Sequence, residues 1–206
     1  MSQPLLRLFA TDSNWRLFMT RKADPAFRDF ANRVLARDRH TCRYCGFQAN
    51  SQMEIVNRDN NYHNNRLSNL ATACPFCAQC SFIESVGLGG YGGGTLIYFP
   101  KFSQTQLNAL CHTLFTSIAL NTSFANDAKA IYRNLRLSAQ TIEKNYAEGF
   151  SNPSHIGRLI IESDQKNKVK IQGFLDQFRL LPNLQKFSQS VEKWTQASLD
   201  QLSGGN

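Results

Sequence analysis

No run of about 18 apolar residues occurs in the sequence, so no membrane-spanning helix is expected. The opening stretch MSQPLLRLFATDSNWR is too short in its apolar part to read as a secretion signal. Without such a signal, the acceptor spacing Asn121-Thr122-Ser123 carries no meaning for glycosylation. Acidic residues are scarce: 15 Asp and Glu stand against 23 Lys and Arg, a net charge of +8 with a pI near 9.4. That balance suits a polyanion or an acidic protein partner. The basic residues are spread along the chain rather than gathered in a block, so charge alone does not single out nucleic acid. A phosphate-cradling Gly-Lys-Ser/Thr is also missing. The run Gly87-Leu88-Gly89-Gly90-Tyr91-Gly92-Gly93-Gly94 matches GxGxxG by spacing. A helix is expected before it and a strand over residues 95–99 after it, the reverse of a dinucleotide fingerprint. It reads as a turn and as the boundary between two halves.

What the sequence does have is a cluster of cysteines. Five of six lie between His40 and Ser81, in two knuckles, Cys42-x-x-Cys45 and Cys74-x-x-Cys77, with Cys80 just beyond. Two residues between thiolates let both converge on one ion, and Gly46 suits the positive φ on which such a turn ends. A zinc ion takes about four ligands in a tetrahedron, with Zn–S near ~2.3 Å. Cys42, Cys45, Cys74 and Cys77 are therefore the expected Zn²⁺ ligands. A disulfide pair or buried thiols are the alternatives, and Cys80 could replace one knuckle thiol. Clustered cysteines without an export signal point to a reducing, cytoplasmic compartment. Neither CxxC follows a buried strand and opens a helix, so a thioredoxin-like redox motif fits poorly.

Along the chain, the short apolar runs at residues 5–9 and 15–19, separated by Thr11-Asp12-Ser13-Asn14, read as a β-hairpin. Asp24-Pro25 opens a helix with Phe27, Phe30, Val34 and Leu35 on one face. Met53-Glu54-Ile55-Val56 reads as a strand, residues 57–65 as an Asn-rich loop, and residues 78–86 as a short helix. Beyond Pro100, apolar stripes at helical spacing predict helices. They run through Leu107 to Ile118, over residues 125–147, over 154–162, through Ile171 to Phe178, and through Leu184 to Trp194. Cys111, on the first of these, reads as a buried thiol. Five amphipathic helices are more than a small zinc module needs, leaving apolar surface for a partner segment.

The segments Arg37-Asp38…Cys42-x-x-Cys45-Gly46, Asp59-Asn60-Asn61-Tyr62-His63-Asn64-Asn65-Arg66 and Asn69-Leu70…Cys74-x-x-Cys77 resemble the HNH (ββα-metal) nuclease family in its zinc-ribbon form. The resemblance implies an α+β fold: a zinc-stabilised HNH-like module over residues 1–86, with the N-terminal β-hairpin, then a mainly helical region over 87–206.

A nuclease of this family needs a histidine as general base and a divalent metal held beside it and after the second knuckle. Here the corresponding strand reads Val56-Asn57-Arg58, and the position after Cys77 is Ala78. Asn57 takes no proton at neutral pH, and Arg58 repels a divalent cation. Asn69 survives from the motif. His63 is a candidate for a displaced base but reads better as a loop histidine; Glu54 and Asp59 read as surface carboxylates, and His40 as a neighbour that donates to a zinc-bound sulfur or lies on the surface. No catalytic residues are expected, with an active HNH endonuclease or a nucleic-acid-binding zinc protein as alternatives.

Over essentially all 206 residues the chain further resembles a family of subunits of the Dot/Icm type IV secretion coupling complex. That resemblance implies a non-catalytic adaptor recruited to the cytoplasmic face of the inner membrane. It would bind the coupling ATPase C-terminal segment and other coupling-complex subunits, and support effector recruitment and export.

Overall fold

The computed structural model describes residues 4–203. Of the residues Ser203-Gly204-Gly205-Asn206, which the sequence marks as a fraying tail, Ser203 ends the last helix and the other three lie outside the described residues. The elements mix helices with two small antiparallel sheets.

The expected N-terminal hairpin is not there. Residues 5–10 are extended, with Leu6, Leu8 and Ala10 buried in alternation, so the period-two pattern is real. Its backbone partners lie far along the chain: Phe9 N donates to Cys80 O at 2.8 Å, and Ile83 N donates to Phe9 O at 3.1 Å. The stretch expected as the second strand is helix α1 (Asn14–Ala23). It buries Asn14, Phe18 and Arg21, spaced as one helical face. Phe18 packs with Tyr62 and Phe82 in an aromatic cluster edged by Trp15 and Tyr91.

Helix α2 (Pro25–Arg37) begins as expected: Asp24 accepts from Ala26 N at 2.9 Å, and Pro25 fills the first turn, where its missing N–H costs nothing. Its apolar face sets Val34 against Ile55 and Leu70. These last two belong to strands β1 (Glu54–Asn57) and β2 (Leu70–Ala73), paired antiparallel with Asn57 opposite Leu70 and Glu54 opposite Ala73. Helix α3 (Pro75–Ala78) follows, and the expected helix beyond it breaks into 3₁₀ turns at Gln79–Ser81 and Ile83–Ser85.

Strand β3 (Gly94–Tyr98) forms as expected, but its partner was not foreseen: β4 (Phe178–Pro182) pairs with it antiparallel. The helical stripe read through Phe178 therefore ends early, in α8 (Gln165–Leu175). The remaining helices are α4 (Gln104–Ala119), α5 (Ala125–Leu137), α6 (Ala139–Asn145), α7 (Pro153–Glu162) and α9 (Ser188–Ser203). The single helix expected over 125–147 is interrupted at Ser138. Helix α4 carries a full capping box between Ser103 and Gln106.

One apolar cluster crosses the expected boundary at residues 86 and 87. It joins Cys74, Phe76 and Ile83 to Leu96, Phe115, Leu180 and Trp194. The glycine-rich turn is also tied down, because Gln79 Oε1 accepts from Gly93 N at 3.0 Å. A side chain at Gly92 would meet that same oxygen at 2.5 Å, and its φ of +57° suits glycine.

Candidate metal centre

Each knuckle is shaped by its own backbone. In the first, Cys42 N donates to Phe47 O at 2.7 Å and Gly46 N to Cys42 O at 3.0 Å, with Gly46 at φ +79°. The second, contrary to expectation, does follow a buried strand, β2, and open a helix: Cys74 caps α3, Pro75 begins it, and Cys77 N and Ala78 N both donate to Cys74 O. The β1–β2 hairpin brings the two turns face to face. The sulfurs of Cys42, Cys45, Cys74 and Cys77 all lie within 4.8 Å of one another, and those of Cys45 and Cys74 are 3.6 Å apart. A tetrahedron with Zn–S bonds of about 2.3 Å has edges of about 3.8 Å. The sulfur set thus has the spacing of a four-thiolate metal site and is too open for disulfides, which the six free thiols do not form.

The protonation energetics favour a cation here. Burial pushes the Cys74 and Cys77 thiols well above the usual range, with hydrogen bonding to Cys42 adding to the rise. At Cys42 burial also raises the thiol, but hydrogen bonds from Cys45, Cys74 and Cys77 outweigh it and hold it far below. Four buried thiolates this close would repel one another without a counter-ion. A divalent ion would balance charge on all four sulfurs together.

Two polar side chains of α4 meet this cluster. Asn108 Nδ2 donates to Cys77 Sγ at 3.2 Å, and His112 Nε2 lies 3.2 Å from Cys74 Sγ. Burial pushes the His112 imidazole down to about 3, partly countered by Cys42. The ring is held between Phe47 (centroids 3.7 Å apart) and Phe76 (4.2 Å). Neither residue stands out in the sequence as a partner of the cysteines. Their signal was a polar row, Gln104, Asn108 and His112, at intervals of four on an otherwise apolar helix face.

The other cysteines stand apart from the four. Cys80 donates to Phe76 O at 3.4 Å, and burial raises its thiol. Cys111 is buried on α4, as expected, and burial pushes its thiol up to about 12. No hydrogen bond joins the His40 ring to a sulfur among the described residues, and its buried Nδ1 has no partner there.

The positions where the HNH resemblance would put chemistry are otherwise used. Val56 (1% exposed) and Ala78 (0%) belong to the apolar core. Asn57, also 1% exposed, donates through Nδ2 to Asn61 O and Asn64 O, both at 2.8 Å. Its Oδ1 accepts from Arg21 Nη1 at 2.5 Å; the same guanidinium donates to Ile55 O and Asn65 Oδ1 and sits 4.5 Å from the Phe27 ring centroid. Asn69 Nδ2 donates to Asp59 Oδ1 and Asn64 O, bracing the loop. His63 is exposed at the loop surface, and Glu54 is paired with Lys22 at 2.5 Å.

No family model matches the chain. It is, however, 46% identical over 197 residues to the type 4 apparatus protein DotN of Legionella pneumophila subsp. pneumophila (strain Philadelphia 1), a match covering 96% of this chain and 92% of that protein. The chain belongs to the DotN family. Membership agrees with the whole-length resemblance to DotN (IcmJ) read from the sequence, and with a part in a type IV secretion apparatus. Among the described residues of this DotN-family chain, no helix is long and apolar enough to cross a membrane.

Proposed function

We propose that this DotN-family chain is a non-catalytic adaptor of the type IV secretion coupling complex, built around one Zn²⁺ on Cys42, Cys45, Cys74 and Cys77. In this reading it binds an extended C-terminal segment of the membrane-bound coupling ATPase and other coupling-complex subunits. It reaches the cytoplasmic face of the inner membrane through those partners and supports effector recruitment. Residues 1–86, with the order β1–β2–α3, are the HNH-like part, and residues 87–206 form a mainly helical part packed on it.

The observation that carries the non-catalytic reading is the burial of Val56, Asn57 and Ala78. Solid core and an arginine guanidinium occupy the ground where a hydrolytic metal and an attacking water would need to meet a phosphodiester. The relative's name, an apparatus protein, supports the same reading.

Calorimetry of the full chain with the isolated ATPase tail, paired with elemental analysis, tests it. Saturable heat at one tail per chain and one zinc per chain are expected. Absence of both heat and competition would remove direct docking from the account.

A further inference from the structure

We infer that Asn108 and His112 are positioning residues of the sulfur centre: through them helix α4, and through Gln104 strand β4, are registered to the metal-loaded thiolates of Cys74 and Cys77. This rests on the zinc reading above and goes beyond it by naming the groups outside the ligand set that sense the ion.

The direction of the hydrogen bonds carries the argument. Leu180 lies in β4, where its backbone N–H donates to Gln104 Oε1 at 2.8 Å. A backbone N–H can only donate, so that atom of Gln104 must be the oxygen, and the amide nitrogen lies on the other side. Gln104 Nε2 then donates to Leu180 O at 2.8 Å and to Asn108 Oδ1 at 2.9 Å. Because Asn108 Oδ1 accepts, its Nδ2 is the atom that faces Cys77 Sγ. The relay therefore runs one way, from the β4 backbone through two buried amides to a sulfur that must accept. Asn108 is 0% exposed, and its side chain also hydrogen-bonds Cys80, so two buried sulfurs share its amide in place of water. A thiolate is a far better acceptor than a protonated thiol, and a charge-assisted bond is about twice as strong as a neutral one.

His112 repeats the arrangement one turn on. A thiolate sulfur can only accept, so the ring nitrogen 3.2 Å from Cys74 Sγ is the protonated one and donates to it. The rings of Phe47, from beyond the first knuckle, and Phe76, from within the second, fix its plane. Four thiolates around one divalent ion leave a net charge of −2 in a buried site, and two N–H donors aimed at two sulfurs disperse it. Sulfurs held as thiolates by the ion accept both bonds more strongly than thiols would, so the ion tightens the register of α4 against the knuckles.

The test uses the full chain loaded with Co²⁺ or Zn²⁺. His112→Phe keeps the aromatic stack and removes the donor. Asn108→Asp keeps the acceptor for Gln104 and replaces the donor with a carboxylate. Each is expected to weaken zinc roughly 10–100-fold in chelator competition, the usual effect of losing such a partner. Each should also move the sulfur-to-cobalt charge-transfer band to lower energy, because sulfur lone pairs lose a stabilising hydrogen bond. A side chain that only fills space would leave that band in place. In the parent, metal removal should cost hydrogen-exchange protection at the Leu180 amide and along α4. Parent protein that binds no metal overturns the zinc reading and this inference together. Parent protein that binds zinc, with both variants matching it in band position and affinity, overturns this inference alone.

Discussion

The Arg21 guanidinium and the Asn57 amide, 36 residues apart, meet at 2.5 Å in the interior of the first half. The pair links α1 to the end of β1, and Arg21 extends the link to Ile55 O and Asn65. Arg21→Ala would strip a buried amide oxygen and a backbone carbonyl of their donor. A loss of about 2–4 kcal/mol is expected in urea unfolding. Arg21→Lys should recover little of it, because one ammonium cannot reproduce the planar fork that spans three acceptors.

The same geometry predicts a null result in nuclease assays. Plasmid DNA with Mg²⁺ or Mn²⁺ should stay supercoiled with the parent protein, and His63→Ala should change nothing. Asn57→His, which returns an imidazole to the place where the HNH resemblance puts the base, should also fail to nick. The new ring would face Arg21, with Val56 and Ala78 in the core offering no metal ligand. Nicking by the parent that His63→Ala abolishes would restore the enzyme reading.

Cys74→Ser is expected to abolish stoichiometric zinc and to destabilise the whole chain, not the knuckles alone. Structural zinc sites contribute on the order of 10–16 kcal/mol, more than typical domain stability. Cys74 lies in the core cluster that also contains Leu96, Phe115 and Trp194, so loss of the centre exposes that shared core. A variant that melts like the parent by circular dichroism, with tryptophan fluorescence unchanged, would refute the four-thiolate assignment.

Glu84 gives a pH signature independent of the metal. It is 9% exposed, and neither carboxylate oxygen has a hydrogen-bond partner of good geometry among the described residues. Burial pushes its carboxyl up to about 7, only partly offset by the backbone amides of Glu84 and Thr11. The folded chain thus holds this proton after the unfolded chain has released it. Its contribution is fully present below about pH 4.5 and is lost as pH rises to about 7, a fall on the order of 3 kcal/mol. Glu84→Gln should flatten that part of the stability-against-pH curve in urea titrations. An unchanged slope would mean that another group governs it.

Much of the site was legible because its determinants are local. Two-residue spacing within each CxxC and the glycine after Cys45 specify the knuckles, whatever surrounds them. Asp24-Pro25 specified the start of α2 for the same reason, since a cap and a fixed φ act within one turn. The hairpin over residues 5–19 failed because alternation tells that a segment lies extended with one face buried, not what it lies against. Leu6, Leu8 and Ala10 do alternate, but Phe9 between them finds its backbone partners at Cys80 and Ile83. Phe178 failed in the opposite sense: a plausible helical stripe gave way once β3 required a strand beside it.

The sequence by itself determined that four sulfurs would be presented in two turns, and that no imidazole would stand at Asn57. Only the tertiary structure decided which other groups reach those sulfurs and what fills the vacated ground. Asn108 meets Cys77 across 31 residues and His112 meets Cys74 across 38, while the Arg21 guanidinium closes over Asn57. Contacts of that kind are set by how faces of distant elements pack, and packing depends on the whole set of buried side chains rather than on any spacing along the chain.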